Sequence, residues 1–198
     1  MALIALPRVR AKSQHLQLLR NDSALEFMSG ATVVTRGTQA TWLLTFPLSI
    51  SRIAEARLWF GALAQLSRLS NTFQITPPAW VSGTGYDNAN PVVDGANQLG
   101  TSLNCKWATQ SMLIALAGDF IEVNGEFKVL TQDVTTAVDT THTMNFEPAL
   151  RQAPADLASV NIKTPQLTMR LVSPLMEFDG SLPDFFDTTV IAMEHWGP

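Results

Sequence analysis

The chain has 198 residues, 46% apolar and only 15% charged, with a formal net charge of −4. That length suits one medium domain, or a domain carrying a smaller inserted one, and it folds without help from a disulfide or metal. One cysteine, Cys105, excludes an intrachain disulfide and a thiolate metal cluster; whole-chain acidity argues against a dedicated nucleic-acid binder; and no apolar run approaches the roughly 20 residues of a membrane span.

Residues 1–39 are weakly patterned. Met1 to Pro7 is apolar but too short for a signal peptide, and Arg8, Arg10 and Lys12 follow it on the wrong side. The chain is therefore expected to be made and kept in a cytosol-like compartment. Those three cations alternate with apolar residues, which puts them on one side of an extended segment. They form either a solvated strand face or a contact with acidic residues of a neighbouring subunit. His15 to Arg20 fits a short strand, and Leu25, Phe27 and Ser29-Gly30 read as strand then turn.

Thr41 to Leu48 (TWLLTFPL) is the clearest early strand. Trp42, Leu44, Phe46 and Leu48 fall on one face, Thr41 and Thr45 on the other. Pro47 lacks an N–H and predicts a sheet edge or exit there. Ser51 then serves as the expected N-cap of one helix, roughly 52–70. Glu55 and Arg68 suit the two ends of its dipole. Ile53, Ala56, Phe60 and Leu63, widened by Trp59 and Leu66, form its core stripe. Phe73 and Ile75 alternate as a short strand that Pro77-Pro78 stop.

Ser82 to Gly100 is rich in Gly, Asn, Asp and Ser and reads as a long exposed connection, of the kind that marks an insertion or a functional loop. From Thr101 to about Leu150 the pattern is β again. Asn124-Gly125 is the favoured pair for a type I′ hairpin, flanked by Ile121 and Val123 on one side and Phe127 and Val129 on the other. His142 to Phe146 is a further strand, closed by Glu147-Pro148. Residues 151–165 read as a polar return segment, and Gln166 to Val172 and Thr188 to Trp196 as two last strands rejoining the first sheet. The expected fold is mainly β with one central α-helix. Residues 1–82 and 156–198 form an outer sandwich or split barrel, and 83–155 form an inserted small β-domain.

No chemistry-bearing constellation emerges. His15, His142 and His195 share no metal-ligand spacing. Gly83-Thr84-Gly85 lacks the third glycine of a dinucleotide loop. Asp87, Asn88, Asn90 and Asp94 do not follow the spacing of an EF-hand and read as an Asx-rich turn. Asp184 and Asp187 are a carboxylate pair with no known separation. Cys105 reads as a small buried hydrophobe. The chain is expected to be non-enzymatic, with no cofactor and no metal.

Charge is segregated. Residues 1–81 hold eight Lys/Arg against three Asp/Glu, and residues 82–198 hold five against fourteen. Intramolecular neutralisation explains this, as do complementary faces meeting between copies in an oligomer. The low total charge fits either a well-buried β protein or one that hides surface against other subunits.

Three stretches carry a family resemblance. The first runs from Thr41-Trp42 through Ile53-Ala54-Glu55-Ala56, Trp59-Phe60, Leu63-Ala64 and Leu66 to Asn71–Pro77. The second is Asn90 to Gly100 (NPVVDGANQLG), with Leu103 and Trp107 after it. The third is Leu116 to Ile121 (LAGDFI), continuing through Val129 to Phe146-Glu147-Pro148-Ala149-Leu150-Arg151. In this order they resemble the distal tail, or tail-hub adaptor, proteins of long-tailed bacteriophages, over roughly 40–196. The resemblance implies a tail-tube-like outer domain and a homohexameric ring in the virion, joining the tail tube protein to the baseplate hub protein. Tape-measure protein and tail fibres are implied as further neighbours. DNA would pass through the ring without a specific site. Arg8, Arg10, Lys12, Asn90, Pro91, Asp94 and Trp107 are the expected subunit-interface residues. Many such adaptors carry a large C-terminal arm, whereas Pro198 follows directly on the last strand here, so direct host binding is not expected. Other readings are a tail-tube or tail-terminator subunit, and a glycan-binding β-sandwich using Trp80, Tyr86 and Trp107.

Overall fold

The computed structural model describes residues 2–7, 13–20, 22–26, 32–35, 40–68, 70–76, 91–108, 111–172, 179–181 and 185–196. In chain order the elements are β1 (His15–Leu19), β2 (Ser23–Glu26), β3 (Thr32–Thr35), β4 (Thr41–Ile50), α1 (Ile53–Leu66), β5 (Phe73–Ile75), β6 (Val92–Val93), β7 (Gly100–Lys106) and β8 (Leu113–Ala115). There follow β9 (Phe120–Val123), β10 (Glu126–Leu130), β11 (Val134–Thr135), β12 (Thr141–Leu150), β13 (Val160–Asn161), β14 (Leu167–Leu171), β15 (Asp179–Ser181) and β16 (Phe185–Glu194). The protein is mainly β, with a single helix among the described residues, in a β-sandwich or split-barrel architecture.

The chain divides into two compact units. The first comprises Met1–Leu18, Thr41–Ala79 and Gln166–Pro198; the second comprises Leu19–Ala40 and Trp80–Pro165. The sequence places the division at 83 and 155. In the structure the second unit runs ten residues further, because Val160 of β13 pairs with Val123 of β9. It also takes in the hairpin of β2 and β3.

The first unit is built on an open sheet in the order β1-β4-β16-β14-β5, with β15 beside β16. Alternation in β4 buries Trp42, Leu44, Phe46, Leu48 and Ile50, as the sequence predicts. Directly opposed residues share a face, so Phe46 meets Val190 and Leu44 meets Ala192 across the β4–β16 pair. Met169, Leu167, Phe73 and Ile75 extend that buried face through β14 and β5. Burying each such side chain is worth about 1.5–3 kcal/mol. Pro47 does not end the strand: β4 runs on to Ile50, with Thr189 opposite the proline. A proline removes one ladder donor, and β16 supplies enough other pairs to carry the strand past it.

Helix α1 contacts β4 and buries Ala56, Trp59, Ala62, Leu63 and Leu66. Its ends differ from expectation. Arg52 holds the N-cap position with no side-chain hydrogen bond, so Ser51 is not the cap. Arg68 lies beyond the last turn, which holds no basic residue. Ile53 is 51% exposed and Phe60 only half-buried, so the stripe is rotated from the expected one.

The second unit contains a six-stranded sheet in the order β13-β9-β10-β12-β7-β6. Its two edges meet. Val92 bridges Ser159, the Val93 N–H donates to Ala158 O at 2.9 Å, and the Val160 N–H donates to Pro91 O at 2.9 Å. The sheet is thereby nearly closed on itself, which removes the exposed edges an open sheet keeps. Leu103, Cys105, Ile121, Val123, Met144, Phe146 and Val160 fill its core. The expected hairpin is present: Asn124 (φ 53°) and Gly125 (φ 75°) are both left-handed, and Glu126 faces Val123.

Two readings of this region need correction. Pro91 to Val93 belong to the closure rather than to an exposed connection, and only the loop after them is exposed, at residues 95–97 and 99; residues 82–90 lie outside the described residues. β12 does not stop at Glu147-Pro148 but continues to Leu150, with a register shift between Asn145 and Leu150.

Candidate interaction surfaces

The loop 94–99 follows β6 and is fixed from several directions. Gly95 (φ 91°) and Gly100 (φ 97°) bracket it in conformations that favour glycine. The Gln98 side chain acts as an internal brace. Its Nε2 donates to Asp94 O at 2.8 Å and Gly95 O at 2.9 Å, and its Oε1 accepts the Asn104 N–H at 2.7 Å. The Gly95 N–H donates to Asp156 Oδ1 at 2.8 Å, and Lys106 Nζ donates to Asp94 Oδ1 at 2.9 Å. That hydrogen bond, with the Asp94 and Asp156 charges, holds the Lys106 pKa above its ordinary value against an opposing desolvation. The loop is thus an ordered surface, and Leu99 stands on it 60% exposed.

Inside the closed sheet lies a buried ion pair. Glu126 and Lys128 point from β10 and are both fully buried, with Lys128 Nζ donating to Glu126 Oε2 at 2.6 Å. Lys128 also donates to Ala149 O at 2.9 Å. The Glu126 carboxylate accepts the N–H groups of Arg151 at 3.1 Å and Gln152 at 3.0 Å. The two side chains therefore supply backbone partners where the β12 ladder shifts register. Arg151 in turn donates through its guanidinium to Ala40 O. A buried charge pair is tolerable only when its remaining valences are met, and here they are.

Two further buried ionisable groups, Cys105 and His142, lie on facing strands of the second unit. Burial, aided by the Asp94 charge, pushes the Cys105 thiol up to about 12, so it remains protonated at neutral pH. His142 sits directly opposite Cys105 across β12 and β7. Burial lowers its pKa, an effect the Thr140 carbonyl offsets only in part. Among the described residues no group of three or more His, Cys, Asp or Glu is placed to hold a metal.

The first unit offers a different kind of surface. None of the five residues of β1 is buried, and no strand lies beyond it in its sheet among the described residues. At the other side of the sheet, residues 2–4 run beside Thr72. The Ile4 N–H donates to Thr72 O at 2.8 Å, and the Thr72 N–H donates to Ala2 O at 3.0 Å.

The structure distributes the expected interface residues unevenly. Arg8, Arg10, Lys12 and Asn90 lie outside the described residues, as do Trp80, Tyr86, Asp87, Asn88 and Asp184. Pro91 is buried within the sheet closure. Asp94 and Lys106 meet on the ordered loop. Trp107 packs half-buried against the core while its N–H donates to Thr140 O at 3.0 Å. Asp187 is exposed on β16, with Asp179 of β15 as its register partner. The open edge at β1 was signalled in sequence only by a short apolar-polar alternation. Among the described residues no helix is long and apolar enough to cross a membrane. No family model matches the chain, and no curated protein matches it significantly.

Proposed function

We propose that the chain is a structural subunit of a bacteriophage tail tip, which closes into a homohexameric ring between the tail tube and the baseplate hub. The observation that carries this reading is the open sheet of the first unit, whose β1 edge has no partner strand among the described residues. Such an edge presents unpaired N–H and C=O groups and is a template for a strand of another chain. Where the two joining surfaces of a subunit differ, association is heterologous, and it closes into a ring when the rotation permits. The charge segregation fits the same arrangement, because it lets a basic surface of one copy meet an acidic surface of the next. The resemblance of residues 40–196 to tail-hub adaptors supplies the place in the particle. Tail-tube protein and hub protein are then the two axial neighbours, with tape-measure protein and fibres as further contacts. The chemistry is assembly rather than catalysis.

The test is a native-mass or sedimentation measurement on the concentrated protein, alone and with purified tail-tube and hub proteins. A ring of copies, or one templated by either partner, is expected. A stable monomer that binds neither protein contradicts the proposal. An image of the intact particle locating this chain separates an adaptor from a tube or terminator subunit.

A further inference from the structure

The outer side of α1 in the first unit carries an open groove of about 600 Å³, between the extended residues 3–7 and the helix. Its walls are apolar and solvated: Leu3 is 59% exposed and Leu58 63%. One cation, Arg57, lines it, exposed and without an ion-pair partner among the described residues. The far wall is held in place through Asn71, whose Oδ1 accepts the Ala2 N–H at 3.4 Å while its Nδ2 donates to Gln65 O at 2.9 Å.

Gly61 lies in the lining, one helical turn from both Arg57 and Gln65. Glycine is disfavoured inside a helix relative to alanine. Two intrachain reasons ordinarily explain one there, and neither applies. Its backbone is not left-handed, and an added Cβ would meet nothing within 4 Å. The missing side chain therefore opens space toward the outside of the chain. It suits the close approach of something the chain does not itself provide.

We propose that this groove receives an apolar, carboxylate-bearing segment from a second copy of this chain. Charge selects that occupant. The groove offers an arginine with no ion-pair partner among the described residues, in apolar surroundings, and residues 82–198 of each copy carry fourteen Asp/Glu against five Lys/Arg. Pairing groove to groove would instead set two arginines in one apolar contact. The contact is thus heterologous, groove to a different surface, which is the kind that propagates round a ring. The inference rests on the ring reading and names one of its joints.

The experiment compares the wild-type chain with Gly61→Leu and Arg57→Glu, measuring self-association by sedimentation with and without tail-tube protein as template. Gly61→Leu fills open space with a better helix former, so its melting temperature should equal or exceed that of the wild type while association weakens roughly tenfold or more. Arg57→Glu should weaken association by a similar factor at low salt. Equal association of all three proteins overturns the groove contact and leaves the ring standing. A wild type that stays monomeric and binds no tail protein removes both.

Discussion

The two units solve the sheet-edge problem in opposite ways. In the second, β6 and residues 157–160 join the ends of the sheet, so its backbone hydrogen bonds are met internally. In the first, β1 ends the sheet with no further strand among the described residues, and an apolar groove stays open on the helix. A closed sheet needs no partner to be stable. An open one is either protected or used. Under the proposed ring reading the first unit carries assembly and the second is self-sufficient, a contrast that can be probed by asking which substitutions are felt in which unit.

The largest effect is expected at the buried ion pair. Lys128→Met leaves the Glu126 carboxylate buried without its counter-charge and should destabilise the second unit by about 3–5 kcal/mol. Adding Glu126→Gln should recover most of that loss, because the amide oxygen still accepts from the Arg151 and Gln152 N–H groups. Urea unfolding followed by hydrogen exchange would resolve the units separately. Equal loss in both would mean that they unfold as one body, and the contrast between them would fail.

A smaller, pH-dependent effect should come from His142. Burial lowers its folded pKa below the ordinary value near 6.5. As pH falls through about 6.5 the unfolded chain binds a proton that the folded chain refuses, so stability drops until the folded pKa is reached. Above 6.5 the histidine is neutral in both states and contributes no slope. His142→Phe should flatten this acid-side decline in the second unit. An unchanged slope would show that other groups carry it.

Much of the fold is legible because it is local. The alternation of Trp42, Leu44, Phe46 and Leu48 states a face, and Asn124-Gly125 states a turn, each within a few residues. What is not legible is set by distant partners. Nothing in the hairpin pattern marks Glu126 and Lys128 for burial, which the backbone of residues 149–152 makes possible. The closure uses two-residue strands, β6 and β13, too short to show any period. β12 runs past Pro148 to Leu150, and Lys128 and Glu126 of β10 hold the backbone of residues 149–152 that follows. The groove had one sequence signal, a glycine at the centre of a helix beside an outward Leu58, but its meaning depends on knowing that the space above Gly61 is empty.

The smallest expected effect concerns the helix that underlies this groove. A serine before a helix usually contributes about 1 kcal/mol by capping an orphan N–H. Here the N-cap position is Arg52, in an extended conformation with no side-chain hydrogen bond, and Ser51 stands exposed before it. Ser51→Ala should therefore change the stability of the first unit by less than about 0.5 kcal/mol, measured by thermal or urea denaturation. A loss near the usual capping value would show that Ser51 reaches the helix in solution. A negligible loss means that α1 is held by burial of Trp59, Leu63 and Leu66 against its sheet, not by its ends.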